Sequence, residues 1–329
     1  MKVVKFGGSS MADANQYRKV RDILLADPQR RVVVVSAAGK RDSQDHKITD
    51  LLYLCHAHTQ YGVDCSNIFE MIRSRYLKIR DELGIDLDLE TEFAALKSGL
   101  DRKMVSQDEL ASRGEYFSAK LMAAYLGFAF VDAADWVRFK YDGSVDQAAT
   151  YGLLKELDKG FGMVIPGFYG RMPDGKIRTF SRGGSDITGA LAAAALDADV
   201  YENWTDVSGF LVADPRIVPN PEVIDYITYR ELRELSYMGA GVLHEDAIFP
   251  VRREGIPIQI KNTNRPEDHG TLIVQNTLKK PRFIITGVSG KKDFCAINIE
   301  KAMMNSEIGF ARKLLSVLED NNISFEHIP

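Results

Sequence analysis

The sequence predicts an α/β protein, with a mostly parallel central sheet sandwiched by helices and a small α+β fragment of strand, helix and strand at its end. Three observations predict it. The chain opens as strand, glycine turn, helix, strand. Its second strand, RRVVVVSAAG, is a β-branched run without polar alternation, as burial on both faces requires. Strands and helices then alternate to about residue 280.

The elements follow in order. KVVKF is a strand ending at Gly7-Gly8, and residues 12–25 place Tyr17, Val20, Ile23 and Leu24 at helical spacing. From 48 to about 128 the apolar residues recur three and four apart, so a helical layer is expected there. FAFVD and GMVIPGF read as strands, and RMPDGK as the turn of a hairpin. The small-residue helix DITGALAAAALDA and the strand VYENWTD come next. A boundary is expected at KKP, 279–281, separating a domain at 1–280 from a fragment at 281–329. In that fragment FIITGVSGKKDFCAINIEK, SEIGFARKLLSVLEDNN and ISFEHIP read as strand, helix and strand, with Ile308, Leu314, Leu315 and Leu318 on the apolar face of the helix.

The chain has 329 residues, 45% of them hydrophobic and 27% charged, enough for one large domain and a small one with a full core. A net charge of -4 offers no global attraction to nucleic acid or anionic membrane, so an anionic substrate has to be met by local cations. Cys55, Cys65 and Cys295 are scattered and odd in number, which suits reduced thiols in the cytoplasm rather than a disulfide framework or a metal site. No apolar run has the length of a membrane span.

Two glycine loops could carry chemistry. Lys5-Phe6-Gly7-Gly8-Ser9 follows the first strand, and Ser181-Arg182-Gly183-Gly184-Ser185-Asp186 runs directly into a helix. A Gly-Gly after a strand is ordinarily a turn, and SRGGSD can be no more than a helix cap made by Ser185 or Asp186. Both loops, however, sit beside a cation, and glycines before a helix N-terminus let backbone N–H groups approach an anion. Gly170 to Lys176 imitates the start of a nucleotide P-loop, but Ile177 stands where Ser or Thr is needed, and Pro-Asp-Gly makes a tight turn. Asp186 beside a phosphate site has to be held among cations, for which Lys5 and Lys261 are candidates. Arg182 offers a planar fork to a carboxylate, and Glu115 an acceptor to an ammonium, although the sequence alone favours a solvated helix position for Glu115.

Read together, KFGGSS, VVSAAGK with ITDLL, SRGEYFSAKL, FSRGGSDITGALAAAAL, TDVSGFLVADPRIV, MGAGVLHEDAI and IQIKNTNRPEDHGTLI resemble, in order and over nearly the whole chain, the aspartate kinases of the amino acid kinase family. The segment after Phe283 resembles the first βαβ of an ACT regulatory domain. The resemblance implies the amino acid kinase fold, and transfer of the ATP γ-phosphoryl group to the side-chain carboxylate of L-aspartate, the first step toward lysine, threonine and methionine. It also implies roles for residues. Lys5, Gly7, Gly8 and Ser9 would contact the transferring phosphoryl group. Thr49, Glu115 and Arg182 would hold aspartate, with Gly183, Gly184 and Ser185 lining the same region. Asp186 would order the lysines, and Thr205, Asp206, Asp214, Arg216 and Lys261 would bind ATP, with Mg2+ arriving on the nucleotide. Leu211 stands where the family commonly has an aromatic, so Phe210 is the candidate to replace it. An amino-acid effector, lysine or threonine, is implied once the ACT region is completed. An open strand edge near Phe325 would favour a homo-oligomer, a dimer or larger.

Overall fold

The computed structural model describes residues 1–181, 183–237, 243, 245–276, 284–290 and 295–324. They divide into two compact units, Met1–Gly290 and Lys291–Pro329.

The first unit begins β1 (Lys2–Phe6), α1 (Ala14–Leu25) and β2 (Val32–Val35), the strand-helix-strand start expected from the sequence. The helical layer follows as α2 (Ile48–Gln60), α3 (Ser66–Leu83), α4 (Glu90–Asp101) and α5 (Gln107–Leu126). After β3 (Ala129–Phe130), α6 (Ala133–Trp136) and α7 (Gln147–Leu157) come β4 (Met163–Pro166) and the hairpin β5 (Tyr169–Arg171) and β6 (Ile177–Thr179). The hairpin turns at Gly175, whose φ of +87° suits glycine, so the P-loop look-alike is a turn. Then α8 (Gly184–Ala195), β7 (Val200–Thr205), β8 (Tyr226–Thr228), α9 (Tyr229–Tyr237), α10 (Glu245–Arg253), β9 (Ile258–Asn262) and β10 (Thr271–Val274) complete the unit.

The eight-stranded sheet has the order β3-β4-β2-β1-β7-β9-β10-β8. Its first six strands are mutually parallel, and only the β9–β10 pair is antiparallel. Helices cover both faces, and the period-two alternation of side chains divides the core accordingly. Val3, Val32, Val34, Ile165, Tyr201, Ile258 and Ile260 pack in one cluster with the alanines of α8. Val4, Phe6, Val33, Val35, Val164 and Trp204 pack in the other with α1, α2, α3 and α5. Alanine at 190 and 192–195 keeps α8 slim, and a Cβ on Gly189 would lie 2.5 Å from the Tyr201 hydroxyl. The helix therefore lies close on the sheet with its N-terminus at the strands' carboxyl ends.

The boundary expected at 279–281 falls later. Thr286 Oγ1 donates to Glu231 Oε1 at 2.7 Å and Val288 N–H to the Val212 carbonyl at 2.8 Å, so 284–290 belongs to the first unit. In the second unit the expected helix forms as α11 (Phe310–Asp320). Of the strand expected at 283–301, which spans both units, the described residues 284–290 and 295–300 carry none, and Ile284, Ile285 and Ile297 are exposed. An apolar run becomes a strand only beside a strand it can pair with along its length, and these described residues form no such ladder. KKP itself and the expected strand at Phe325 lie outside the described residues.

Candidate active site

In a parallel sheet the loops after the strands converge at the carboxyl ends, and the site is built there. The Gly7-Gly8 loop leaves β1 with Gly7 N–H bonded to the Trp204 carbonyl at 3.0 Å, and Gly8 O accepts from Gly39 N–H at 2.8 Å. The Gly7-Gly8 loop and the loop after β2 touch so closely that a Cβ on Gly39 would sit 2.6 Å from the Gly8 carbonyl carbon. Gly39→Ala should thus separate the loops, lowering stability by roughly 1–3 kcal/mol and turnover with it, as thermal unfolding and kinetics on one preparation would register.

Lys5 is 8% exposed and its Nζ lies 2.7 Å from Asp186 Oδ1 in the first turn of α8. Asn203, beside Lys5 in the neighbouring strand, accepts from Lys5 Nζ at 3.4 Å and donates Nδ2 to Asp186 Oδ1 at 2.8 Å. The acid is thus held by a cation and an amide, and presents Lys5 at the mouth of the first glycine loop. Asn203 escaped the sequence reading. Its signal was a polar pair, Glu202-Asn203, inside an otherwise apolar strand.

The second glycine loop differs from the cap expected of it. Gly183, at φ +56°, is the N-cap, and no side chain caps α8. Neither Ser185 nor Asp186 is spent on the backbone, because Asp186 is turned to Lys5 and buried Ser185 packs against Gly167, where a Cβ would lie 2.6 Å from Ser185 Oγ. Arg182 lies outside the described residues.

Glu115 is where the structure departs most from a reading on sequence physics alone. Instead of a solvated position it is 5% exposed on α5, and its Oε2 is buried without a hydrogen-bond partner among the described residues. Burial pushes its carboxyl up to about 8, opposed only in part by the N–H groups of Ala37 and Glu115. Ala37 lies in the loop that abuts Gly8, so Glu115 is tied to the same loop cluster. Half-buried Thr49 stands at the second position of α2, whose start is fixed by Ile48 N–H on the Ala38 carbonyl at 3.1 Å. A buried acid with one oxygen unpaired among the described residues and a helix N-terminus suit the two ends of a small zwitterion.

Beside these loops opens a cavity of about 750 Å³, lined in part by Asp206, Phe210, Leu211, Asp214, Arg216 and Asn262. Asp206 accepts from Thr205 Oγ1 at 3.2 Å. Arg216 Nη2 pairs with Asp214 at 2.6 Å, and hydrogen bonds from Arg216 hold the Asp214 carboxyl down at about 2. Leu211 and the buried Phe210 both line it, so an aromatic is present one residue from the position the resemblance marks.

Lys261 does not join Asp186. In register it lies beside Trp204 and alternates with Ile260, on the sheet face opposite Lys5 and Asn203. Its Nζ lies 5.4 Å from the Trp204 ring centroid and donates to the carbonyl of Asp268, a residue lining the cavity. The expectation that Asp186 orders both lysines is therefore corrected: it holds Lys5 alone. Among the described residues no three His, Cys, Asp or Glu side chains converge on a metal position, and no helix is long and apolar enough to cross a membrane.

A sequence model of the amino acid kinase family matches residues 1–262. Aspartokinase 3 of Bacillus subtilis is 40% identical over all of this chain and 75% of its own length. The crystal structure of Clostridium acetobutylicum aspartate kinase superposes with a TM-score of 0.93 at 50% identity, covering all of this chain and 76% of that one. Escherichia coli aspartokinase III with aspartate and ADP gives 0.77 at 27% identity, covering 100% and 76% of the two chains. The same protein with lysine and aspartate gives 0.78 at 27%, covering 98% and 75%.

Proposed function

The chain belongs to the amino acid kinase family, among its aspartokinases, and from that premise we infer that it transfers the γ-phosphoryl group of ATP to the side-chain carboxylate of L-aspartate, yielding ADP and 4-phospho-L-aspartate. The observation that carries the reading is a buried cation, Lys5 held by Asp186, in the same loop cluster as a buried acid, Glu115, whose Oε2 has no partner among the described residues.

The chemistry needs no general base, since a carboxylate with a reference pKa of about 4 is already ionised at neutral pH. One carboxylate oxygen forms a bond to Pγ as the bond from Pγ to the bridging oxygen breaks, and that electron pair leaves on ADP. The protein has to bring two anions together. Lys5 and the N–H groups of Gly7, Gly8 and Ser9 meet the γ-phosphoryl charge. Thr49 and Arg182 take the carboxylate end of aspartate and Glu115 the ammonium, with Gly183, Gly184 and Ser185 as the floor. Thr205, Asp206, Asp214 and Arg216 border the nucleotide, with Lys261 at its edge through Asp268. Mg2+ carried on ATP would offset charge on the phosphate oxygens, and among the described residues no cluster of three His, Cys, Asp or Glu side chains is placed to hold it.

Arg216 is 88% exposed on the side chain, so its partnership with Asp214 matters for the ligand rather than the fold. Arg216→Ala should raise KM for ATP about tenfold while leaving the melting temperature and KM for aspartate unchanged. Acceptor identity is tested by ADP release from Mg-ATP with aspartate, glutamate, acetylglutamate or uridine monophosphate. Release with aspartate alone supports the assignment, and release with another acceptor in its place moves the protein elsewhere in the family.

The proposal extends to regulation. The second unit, Lys291–Pro329, would be part of an ACT-like domain, with lysine the first effector to test because the E. coli protein is seen with it. In the second unit α11 buries none of its residues, which suits association as a homo-oligomer. A cytoplasmic location fits three free cysteines.

A further inference from the structure

The loop after β2, which abuts the Gly7-Gly8 loop, is held by a buried cation that the phosphoryl chemistry does not use. Arg75, on α3, is 7% exposed. Its Nη1 donates to the Gly39 carbonyl at 3.1 Å, and its Nη2 lies 2.7 and 2.6 Å from the two Asp45 carboxylate oxygens. Asp45 also accepts from Arg41 Nε at 2.8 Å, Arg41 Nη2 at 3.0 Å and Arg41 N–H at 3.0 Å. The segment between β2 and α2 is thus fastened at Gly39, at Asp45, and at Ala38, whose carbonyl takes the Ile48 N–H.

We propose that Arg75 is a positioning residue that sets the acceptor against the donor. On one side it holds Gly39, which touches Gly8 and hydrogen-bonds its carbonyl, in the loop assigned to the γ-phosphoryl group. On the other it holds Asp45 and so the approach to Ile48 and Thr49, assigned to aspartate. In-line transfer tolerates little misplacement of the reacting atoms, and a planar guanidinium fixes two partners at once where an ammonium, a compact point charge, does not. A buried ion pair alone is weak reason to expect a gain in stability. Here it joins two loops that have to keep one spacing.

The inference rests on the kinase reading, and its test separates the two. Arg75→Lys keeps the charge and loses the fork. It is expected to lower kcat about 30-fold and raise KM for aspartate severalfold, with KM for ATP within twofold of the parent. Amide hydrogen exchange in peptides spanning 6–12 and 36–48 is expected to quicken at least tenfold. Arg75→Ala, where it folds, should recover part of its turnover in millimolar guanidinium but not in urea. If kcat and exchange both match the parent, the proposal is overturned, as it is if turnover falls only in proportion to the folded fraction. Should the parent itself lack kinase turnover, the functional reading fails while exchange at 36–48 still decides the clamp. Asp45→Asn, read by the same exchange, decides it if neither Arg75 variant folds.

Discussion

Replacing Lys5 by Ala is expected to lower kcat by about three to four orders of magnitude, with the fold retained. Charge that develops on a transferring phosphoryl group is worth most to a preorganised cation in a site that excludes water, and Lys5 is buried, aimed and held by Asp186 and Asn203. Among the described residues the variant also leaves Asp186 with the Asn203 amide alone, so the melting temperature should fall by a few degrees and the far-UV circular dichroism stay unchanged. Lys5→Arg should recover little, since a forked guanidinium does not fit where one Nζ is shared between Asp186 and Asn203. Turnover of Lys5→Ala within tenfold of the parent would remove Lys5 from the phosphoryl site.

Glu115→Gln is expected to raise KM for aspartate at least 100-fold and leave KM for ATP unchanged, because the lost charge meets only the acceptor's ammonium. The same acid makes a pH prediction with a definite sign. Its carboxyl goes from an ordinary 4.5 to about 8 on folding because it is buried. The folded protein therefore keeps a proton that the unfolded chain releases, and stability falls as pH rises from about 4.5 to 8, then levels. At about 1.4 kcal/mol per unit, the fall attributable to Glu115 is roughly 5 kcal/mol. Glu115→Gln should be more stable than the parent at pH 8 and equal to it at pH 4. Aspartate binding demands the ionised acid, so aspartate affinity should rise with pH up to about 8. Binding at pH 7 should release close to one proton, measured by calorimetry in buffers of different ionisation heat. A parent and variant with the same pH dependence would contradict this account of Glu115.

What the sequence disclosed and what it hid follow from the range of the forces involved. Strand and turn signals are local, so KVVKF-GG, the valine run and the Pro-Asp-Gly turn told their structure directly. The small-residue helix after SRGGSD likewise announced close packing on a sheet. Lys261 shows the limit. The alternation in IQIK puts it opposite Ile260, but which face also bears Asp186 depends on pairing between β1, β7 and β9, a non-local fact. Glu115 is another case: its helix carries charged and apolar residues on several sides, and only the loop from β2 folding over it makes position 115 interior. The Arg75 clamp was invisible for the same reason, because it joins α3 to residues 30 and more positions away. After Phe283 an apolar run read as a strand, yet strand formation is a property of pairs.

The central claim is acyl-phosphate formation on aspartate at the Lys5 and Glu115 site. Its most direct test incubates the full chain with Mg-ATP, L-aspartate and hydroxylamine, and measures aspartyl hydroxamate, with glutamate in place of aspartate as control and Lys5→Ala and Glu115→Gln beside the parent. The account predicts hydroxamate from aspartate with the parent, none from glutamate, and at least a hundredfold less from either variant at subsaturating aspartate. No hydroxamate from a folded, ATP-binding parent, or equal yields from parent and variants, would contradict it.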